Sequence, residues 1–428
     1  MKGKPTQNTT KELYKTPMQH SEEIYIIGAG ISGLIAAYEL EQKGYCPTII
    51  EQTGEVGGRV KTLREKGYDL DLGFQVLLSA YPLAKKYLDR EKLMLNRLES
   101  GALIYAKKKS FLIGDPLRNW KLLIPTLMAD IGSLRDKLNI LKLNLKLKYK
   151  SLDEIFTSPE KTTEEYLLDF GFSSKIIERF FKPFFAGIFL EPDLRTSSRM
   201  FEFVYKMFGE GDATIPKLGI GEISKQLKSK LVQTKFIFNC EVQEVTKEYI
   251  SIGSGEKIPH QGVIVTSNAP SLISTIKERK VVWKECACFY FEVDEVNIPS
   301  HTIALISDPG NFANNLYAYK DSSSGKTILS VTSLNYTGYP EKDLINKIVS
   351  EVEKYTGSSL LNYIHHYVIK QALPDITNLR MSASPSELQV LENVFLAGDY
   401  LFNGSLNAAM ESGSTAAKGM IQKLESLK

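Results

Sequence analysis

Cysteine is scarce in this chain: Cys46, Cys240, Cys286 and Cys288 are the four in 428 residues. Their spacing suits neither a disulfide framework nor a zinc site. Cys286 and Cys288 would share one face of a strand and read as two buried thiols. Histidine is nearly as rare, with five residues, of which only His365 and His366 adjoin. Adjacent side chains point apart, which argues against a metal centre. Long apolar runs are missing too. The longest, such as KLLIPTLM, are short and hold a proline, so nothing reads as a bilayer span. Residues 1–22 have no apolar stretch and no arginine. They read as a disordered tail rather than a secretory signal or transit peptide. Neither sign of charge prevails: 53 basic against 50 acidic residues leave +3. That balance offers no whole-molecule field for nucleic acid.

What is present is a soluble, globular composition, 43% apolar and 24% charged, in a chain long enough for two domains. EIYIIGAG reads as a buried strand stopping at glycines, ISGLIAAYELEQKGY as a helix, and CPTIIEQ as a second buried strand. This βαβ unit carries GxGxxG at Gly28, Gly30 and Gly33. Gly28 permits the tight turn, Gly30 lets backbone approach a pyrophosphate, and Gly33 lets helix and strand pack closely. Ile31 and Ser32 open the helix, whose N-terminus faces the phosphates. Glu51 ends the second strand, where a carboxylate accepts hydrogen bonds from ribose hydroxyls. Strand, helix, strand and acid together mark a dinucleotide site. The fold class is α/β: a discontinuous Rossmann-like domain with a second α+β domain.

The next motifs narrow the nucleotide. EVGGRVKT, with Gly57, Gly58 and Arg59, resembles the GG(R) signature of the flavin-dependent amine oxidase, phytoene desaturase and protoporphyrinogen oxidase superfamily. DLDLGFQ resembles its D-x-G element, with Asp71, Gly73 and Phe74 leading to the flavin. VFLAGDYLFNGSLNAAMESGSTAA resembles its C-terminal signature. The resemblance implies the glutathione-reductase-2-like FAD/NAD(P)-binding fold and an FAD-dependent oxidoreductase. It implies that Gly398 and Asp399 meet the ribityl chain, that the helix after Leu406, with Ala409 and Met410, points its amides at the flavin pyrimidine edge, and that backbone at Val242 meets adenine. Members often have Gly-Ala where this chain has Ala408–Ala409. Covalent members carry a cysteine in the C-terminal loop. None lies between Leu396 and Met410, so the FAD is expected to be non-covalent.

The resemblance divides the chain into an FAD-binding domain of 23–85, 212–280 and 386–428 and a substrate domain of 86–211 and 281–385. From Tyr81 to about Gly211 the pattern reads as mostly helical. Residues from Val281 to about Leu373 alternate as a separate sheet. Phenylalanines crowd between Phe180 and Phe208, either as an aromatic core or as an apolar tunnel for a hydrophobic small molecule. This stretch, with TSSRMF and GEGDATIPKLGIGEI, resembles an uncharacterised bacterial branch near the phytoene desaturases, and the resemblance implies hydride removal from an isoprenoid- or carotenoid-like substrate. An amine oxidase or a protoporphyrinogen-oxidase-like enzyme is the alternative, with Tyr400 and Phe402 as candidate cage aromatics. A prenyl-binding carrier and a flavin-dependent mutase are further readings. Lys284, just before a strand, is a candidate for the lysine that amine oxidases place near the flavin. LKLNLKLKYK alternates like a strand among helical neighbours. Its lysines, with Lys137, meet no acid in sequence and read either as a solvated face or as a peripheral contact with anionic lipid. The expected setting is cytoplasmic, peripheral to a membrane if that contact exists. No residue pattern names the electron acceptor.

Overall fold

A computed structural model of the chain describes residues 23–106, 109–114, 123–267, 269–276, 281–358 and 361–427. The tail read at 1–22 lies outside them. Strand β1 (Ile24–Ile27), helix α1 (Ile31–Glu41) and strand β2 (Thr48–Ile50) form the expected unit. They sit at the centre of a six-stranded sheet. Its order is Lys235–Ile237, β2, β1, Gly262–Val265, Val394–Leu396 and Gln389–Leu391. The pairings are parallel up to Val394–Leu396, and the last is antiparallel. Gly262–Val265 is buried at every position, as a central parallel strand covered on both faces must be. α1 packs on this sheet beside the C-terminal helix Leu406–Glu425, which also meets the sheet where Met420 lies against Gly262. A Cβ on Gly413 would lie 2.2 Å from the Ser32 carbonyl oxygen, so the two helices touch backbone to backbone.

A second sheet of seven strands follows the order Leu361–Asp375, Val282–Val293, Thr327–Ser333, Asn315–Lys320, Ile303–Ile306, Gly101–Ala106 and Lys109–Gly114. The last two strands belong to a stretch that reads as helical. The hairpin GALIYA–KSFLIG instead pairs from Gly101↔Gly114 onward, and its β-branched and aromatic residues suit that position. Helix Glu341–Thr356 covers one face of the sheet with Leu344, Ile348, Val352 and Tyr355, a spacing that puts all four on one stripe. Along the strands, residues alternate between that helix and the opposite face. Ala304, Leu316 and Val331 join the helix cluster. Ile303, Leu305, Asn315 and Thr332 face the other way, into a cavity, as a period of two requires.

The LKLNLKLKYK segment is helical, within Leu134–Tyr149. Ser133 and Asp136 close a capping box at its start, a signal that outweighs local alternation. Its lysines are not all without acids. Lys150 and Lys146 both pair with the buried Glu202, which also accepts from the Tyr166 hydroxyl. Among the described residues, no helix is long and apolar enough to cross a membrane.

Candidate functional site

A cavity of about 700 Å³ lies between the two sheets, at the carboxyl ends of β1 and β2, where open α/β sheets bind ligands. Gly28 turns the chain at φ +104°, and a side chain there would sit 2.7 Å from Thr266 Oγ1. A Cβ on Gly33 would lie 2.1 Å from the Gly28 carbonyl oxygen. Gly30 is different: nothing lies within 4 Å of its absent Cβ, and it lines the cavity.

α1 begins at Gly30 without a side-chain cap, whereas Leu134–Tyr149, Leu152–Thr157 and Thr163–Asp169 each carry a capping box. The first amides of α1 are therefore left for a ligand, at a cavity wall made by Gly30, Ile31 and Ser32. Glu51 is buried and accepts from Ala29 N (2.8 Å), Thr53 N (2.9 Å) and Thr53 Oγ1 (2.8 Å). A carboxylate has about four acceptor directions, so room remains for a ribose hydroxyl. On the far side, Ser405 caps the C-terminal helix through Ala408 N (3.0 Å), and Ala409 N reaches the Ser405 carbonyl. That leaves the amides of Leu406 and Asn407 at the helix start. Uncapped amides, a ribose-facing carboxylate and an open path past Gly30 fit a dinucleotide such as FAD.

Gly28, Gly30, Ile31, Ser32, Glu51, Gly57, Gly58, Arg59, Gly73, Phe74, Val242, Gly398, Asp399 and Ala409 all line this one cavity. Gly33 lies behind it, where it serves helix–strand contact. Met410 is fully buried in the main core and lies off the cavity wall. Asp71 is also behind the wall: its carboxyl accepts from Thr62 Oγ1 (2.6 Å) and Ile220 N (2.9 Å). Burial pushes it up to about 6.

One aromatic and a lysine fall otherwise than expected. Tyr400 lines the cavity, but Phe402 is buried in the core beneath Arg380. Lys284 bonds Thr196 Oγ1 (3.0 Å) and lies 3.4 Å from Asp375. The cavity is lined instead by its neighbours Trp283 and Cys286. A register shift between Lys284 and Cys286 sets which side chains turn inward. The phenylalanine cluster divides: Phe181, Phe185, Phe189, Phe201 and Phe203 are core, while Phe184 and Phe208 are cavity wall.

Arg59 and Asp399 meet in a pair that sequence reading did not foresee. Arg59 Nη1 donates to Asp399 Oδ2 at 2.9 Å, and Nη2 donates to Oδ1. The guanidinium also lies 5.0 Å from the Trp283 ring and donates to the Ala372 carbonyl at 3.3 Å. Burial opposes its charge, but Asp399 more than offsets this, and the Arg59 pKa is raised. Trp283, Asn315 and Gln371 also line the cavity. Alternation along the second sheet carries a signal for Asn315, a polar residue within an apolar strand.

A model of the family described as flavin containing amine oxidoreductase matches residues 31–421. A similar curated protein is protoporphyrinogen oxidase 2, chloroplastic/mitochondrial, of Arabidopsis thaliana, 27% identical over 168 residues. That match spans 39% of this chain and 32% of the relative's length. Among solved structures, cyclohexylamine oxidase from Brevibacterium oxydans superposes with a TM-score of 0.69 at 14% identity. It covers 94% of this chain and 99% of that one. A fatty acid isomerase from P. acnes superposes with a TM-score of 0.68 at 17% identity, covering 92% and 97%.

Proposed function

The chain belongs to the flavin-containing amine oxidoreductase family, and we propose that it is an FAD-dependent oxidoreductase that removes a hydride from an apolar substrate. The substrate class is an uncharged, isoprenoid- or carotenoid-like molecule reached from a membrane surface. One observation carries this reading. Among the described residues the charged side chains of the cavity are Glu51, Arg59, Lys61, Glu241 and Asp399, from the stretches assigned to the cofactor. The wall beyond is Phe184, Ile188, Leu190, Met200, Val204, Phe208, Ile303 and Leu305. Among the described residues it offers no charge to a substrate. A carboxylate or ammonium would be desolvated there without a partner, which is costly.

FAD held in this cavity supplies the hydride acceptor. In this reading the α1 amides hold the diphosphate, Glu51 the ribose, backbone at Val242 the adenine, and Asp399 with Arg59 the ribityl chain. The Leu406 and Asn407 amides, at the positive end of their helix, favour the negative charge that reduction brings to the flavin edge. Burial pushes the Cys286 thiol up to about 12, so it stays protonated and is no nucleophile. The apolar wall excludes water from the reacting centre. We divide the chain accordingly, with 23–85, 212–280 and 386–428 for the cofactor and 86–211 and 281–385 for the substrate.

An amine or a porphyrinogen fits less well. Of the two candidate cage aromatics for the first, Phe402 is in the core and only Tyr400 lines the cavity. The second carries propionates and would call for cations on the far wall. The test is anaerobic mixing of the yellow protein with polyenes, porphyrinogens and amines, following flavin bleaching, beside mass spectrometry of apolar molecules extracted from it. Acid should release all the colour. Bleaching by a small water-soluble amine alone would overturn the substrate class.

A further inference from the structure

The helix Leu134–Tyr149 has two leucine stripes. Strict alternation at 141, 143, 145 and 147 gives side chains about 200° apart on a helix. Leu143 and Leu147 therefore enter the core, and Leu141 and Leu145 point outward. Leu134, Leu138 and Tyr149 extend the outer stripe at helical spacing, and its five members are 42–79% exposed. Basic residues border this stripe on both sides: Arg135 and Lys142 on one, Lys148 on the other. Among the described residues neither Lys142 nor Lys148 has an ion-pair partner. The helix has one acid, Asp136, and it is buried, accepting from Ser133, Ser173 N and Ser173 Oγ. The outer face thus joins a large apolar strip to charge of one sign.

We propose that this face docks flat on an anionic lipid leaflet, with the leucines in the acyl boundary and the basic residues among the headgroups. The proposal rests on the apolar-substrate reading above. Charge selects the occupant. A second copy of the chain would bring like-charged borders together, and no acidic strip of comparable length answers them within this helix. Position supports it as well. The turn that enters the helix packs Ala129 and Ile131 against Phe180 and Phe184, and Phe184 is cavity wall. The turn at the start of the docking helix therefore stands one layer of side chains from the chamber the substrate would enter.

The test uses the full-length, FAD-loaded protein sedimented with phosphatidylcholine vesicles, with and without phosphatidylglycerol. Binding should need the anionic lipid and fall with salt. Lys142→Gln/Lys148→Gln should weaken it about fivefold per lysine. Leu138→Glu/Leu145→Glu should abolish it, while flavin absorbance and bleaching by detergent-dispersed substrate persist. Both leucines are exposed, so folding should survive. Failure of the wild type to bind at low salt would overturn the proposal. So would undiminished binding by the leucine variant, which would mean plain anion attraction. A wild-type dimer in light scattering that the leucine variant breaks would assign the stripe to a second copy instead. Vesicle binding without bleaching by any apolar compound would overturn the substrate reading and leave the docking intact.

Discussion

The Arg59 guanidinium and the Asp399 carboxylate, 340 residues apart in the chain, meet through two parallel hydrogen bonds inside the cavity. This fork-to-fork geometry is specific to arginine. Asp399→Ala should weaken FAD binding about 10- to 100-fold, from the loss of a charge-assisted hydrogen bond worth about 1.5–3 kcal/mol. Arg59→Lys keeps the charge and should recover only part of the affinity lost in Arg59→Ala. Flavin fluorescence titration of the apoprotein measures both. Folded variants with unchanged affinity would remove the pair from the cofactor site.

Two glycines of one motif should fail in different ways. Gly33→Ala forces a methyl to within 2.1 Å of the Gly28 carbonyl oxygen, so the protein should misfold or melt far lower. Gly30→Ala meets nothing within 4 Å, and its φ of −73° suits alanine. It should fold normally yet lose colour, because the methyl enters the space assigned to the diphosphate. Circular dichroism beside the visible spectrum separates the outcomes. A yellow Gly30→Ala protein would move the phosphates elsewhere.

Glu51 serves structure and ligand together. Glu51→Ala leaves Ala29 N and Thr53 N without their acceptor; the first is buried, and a buried donor so abandoned costs about 1–3 kcal/mol. Melting temperature should fall even in apoprotein, and FAD affinity should fall further. Glu51→Gln should soften both effects. A variant that loses affinity with no change in apoprotein melting would contradict the structural half.

Asp71 should make the protein less stable as pH rises. Burial raises its folded pKa from 3.8 to about 6, so the folded state holds the proton more tightly than the unfolded chain. Its stabilising contribution is complete below about pH 4 and is lost as pH climbs through 6, a change on the order of 3 kcal/mol. Asp71→Asn keeps an acceptor for Thr62 and Ile220 and removes the titration. Its stability relative to wild type should improve from pH 5 to pH 8 in denaturant melts. A constant difference across that range would refute the assignment.

The nucleotide half of the site was legible because its signals are local. A buried parallel strand reads as unbroken apolar sequence, and the glycines and Glu51 act within one βαβ unit. The far wall was less legible. Whether a phenylalanine is core or cavity depends on which neighbour stands opposite, so Phe184 and Phe185 look alike in sequence and differ in place. Lys284 was misdirected by a register shift that only strand pairing reveals. The hairpin from Gly101 is masked in sequence by its helical neighbours, and the alternating leucines of the helix from Leu134 leave strand and helix both open until its capping box decides. The Arg59–Asp399 pair is a long-range meeting with no local trace.

The cavity draws one wall from residues 27–61 and another from residues 398–409, and the strand Val394–Leu396 slots in beside Gly262–Val265. During synthesis, the motif of Gly28, Gly30 and Gly33 leaves the ribosome long before the segment from Val394 that it closes against. The nascent protein must carry an open sheet edge at Gly262–Val265 and an α1 flank that Gly413 has not yet covered. Cofactor capture must then wait for the segment from Val394 onward, and scarcity of FAD would be felt as proteolysis of a polypeptide whose cavity is unclosed before it was felt as lost turnover.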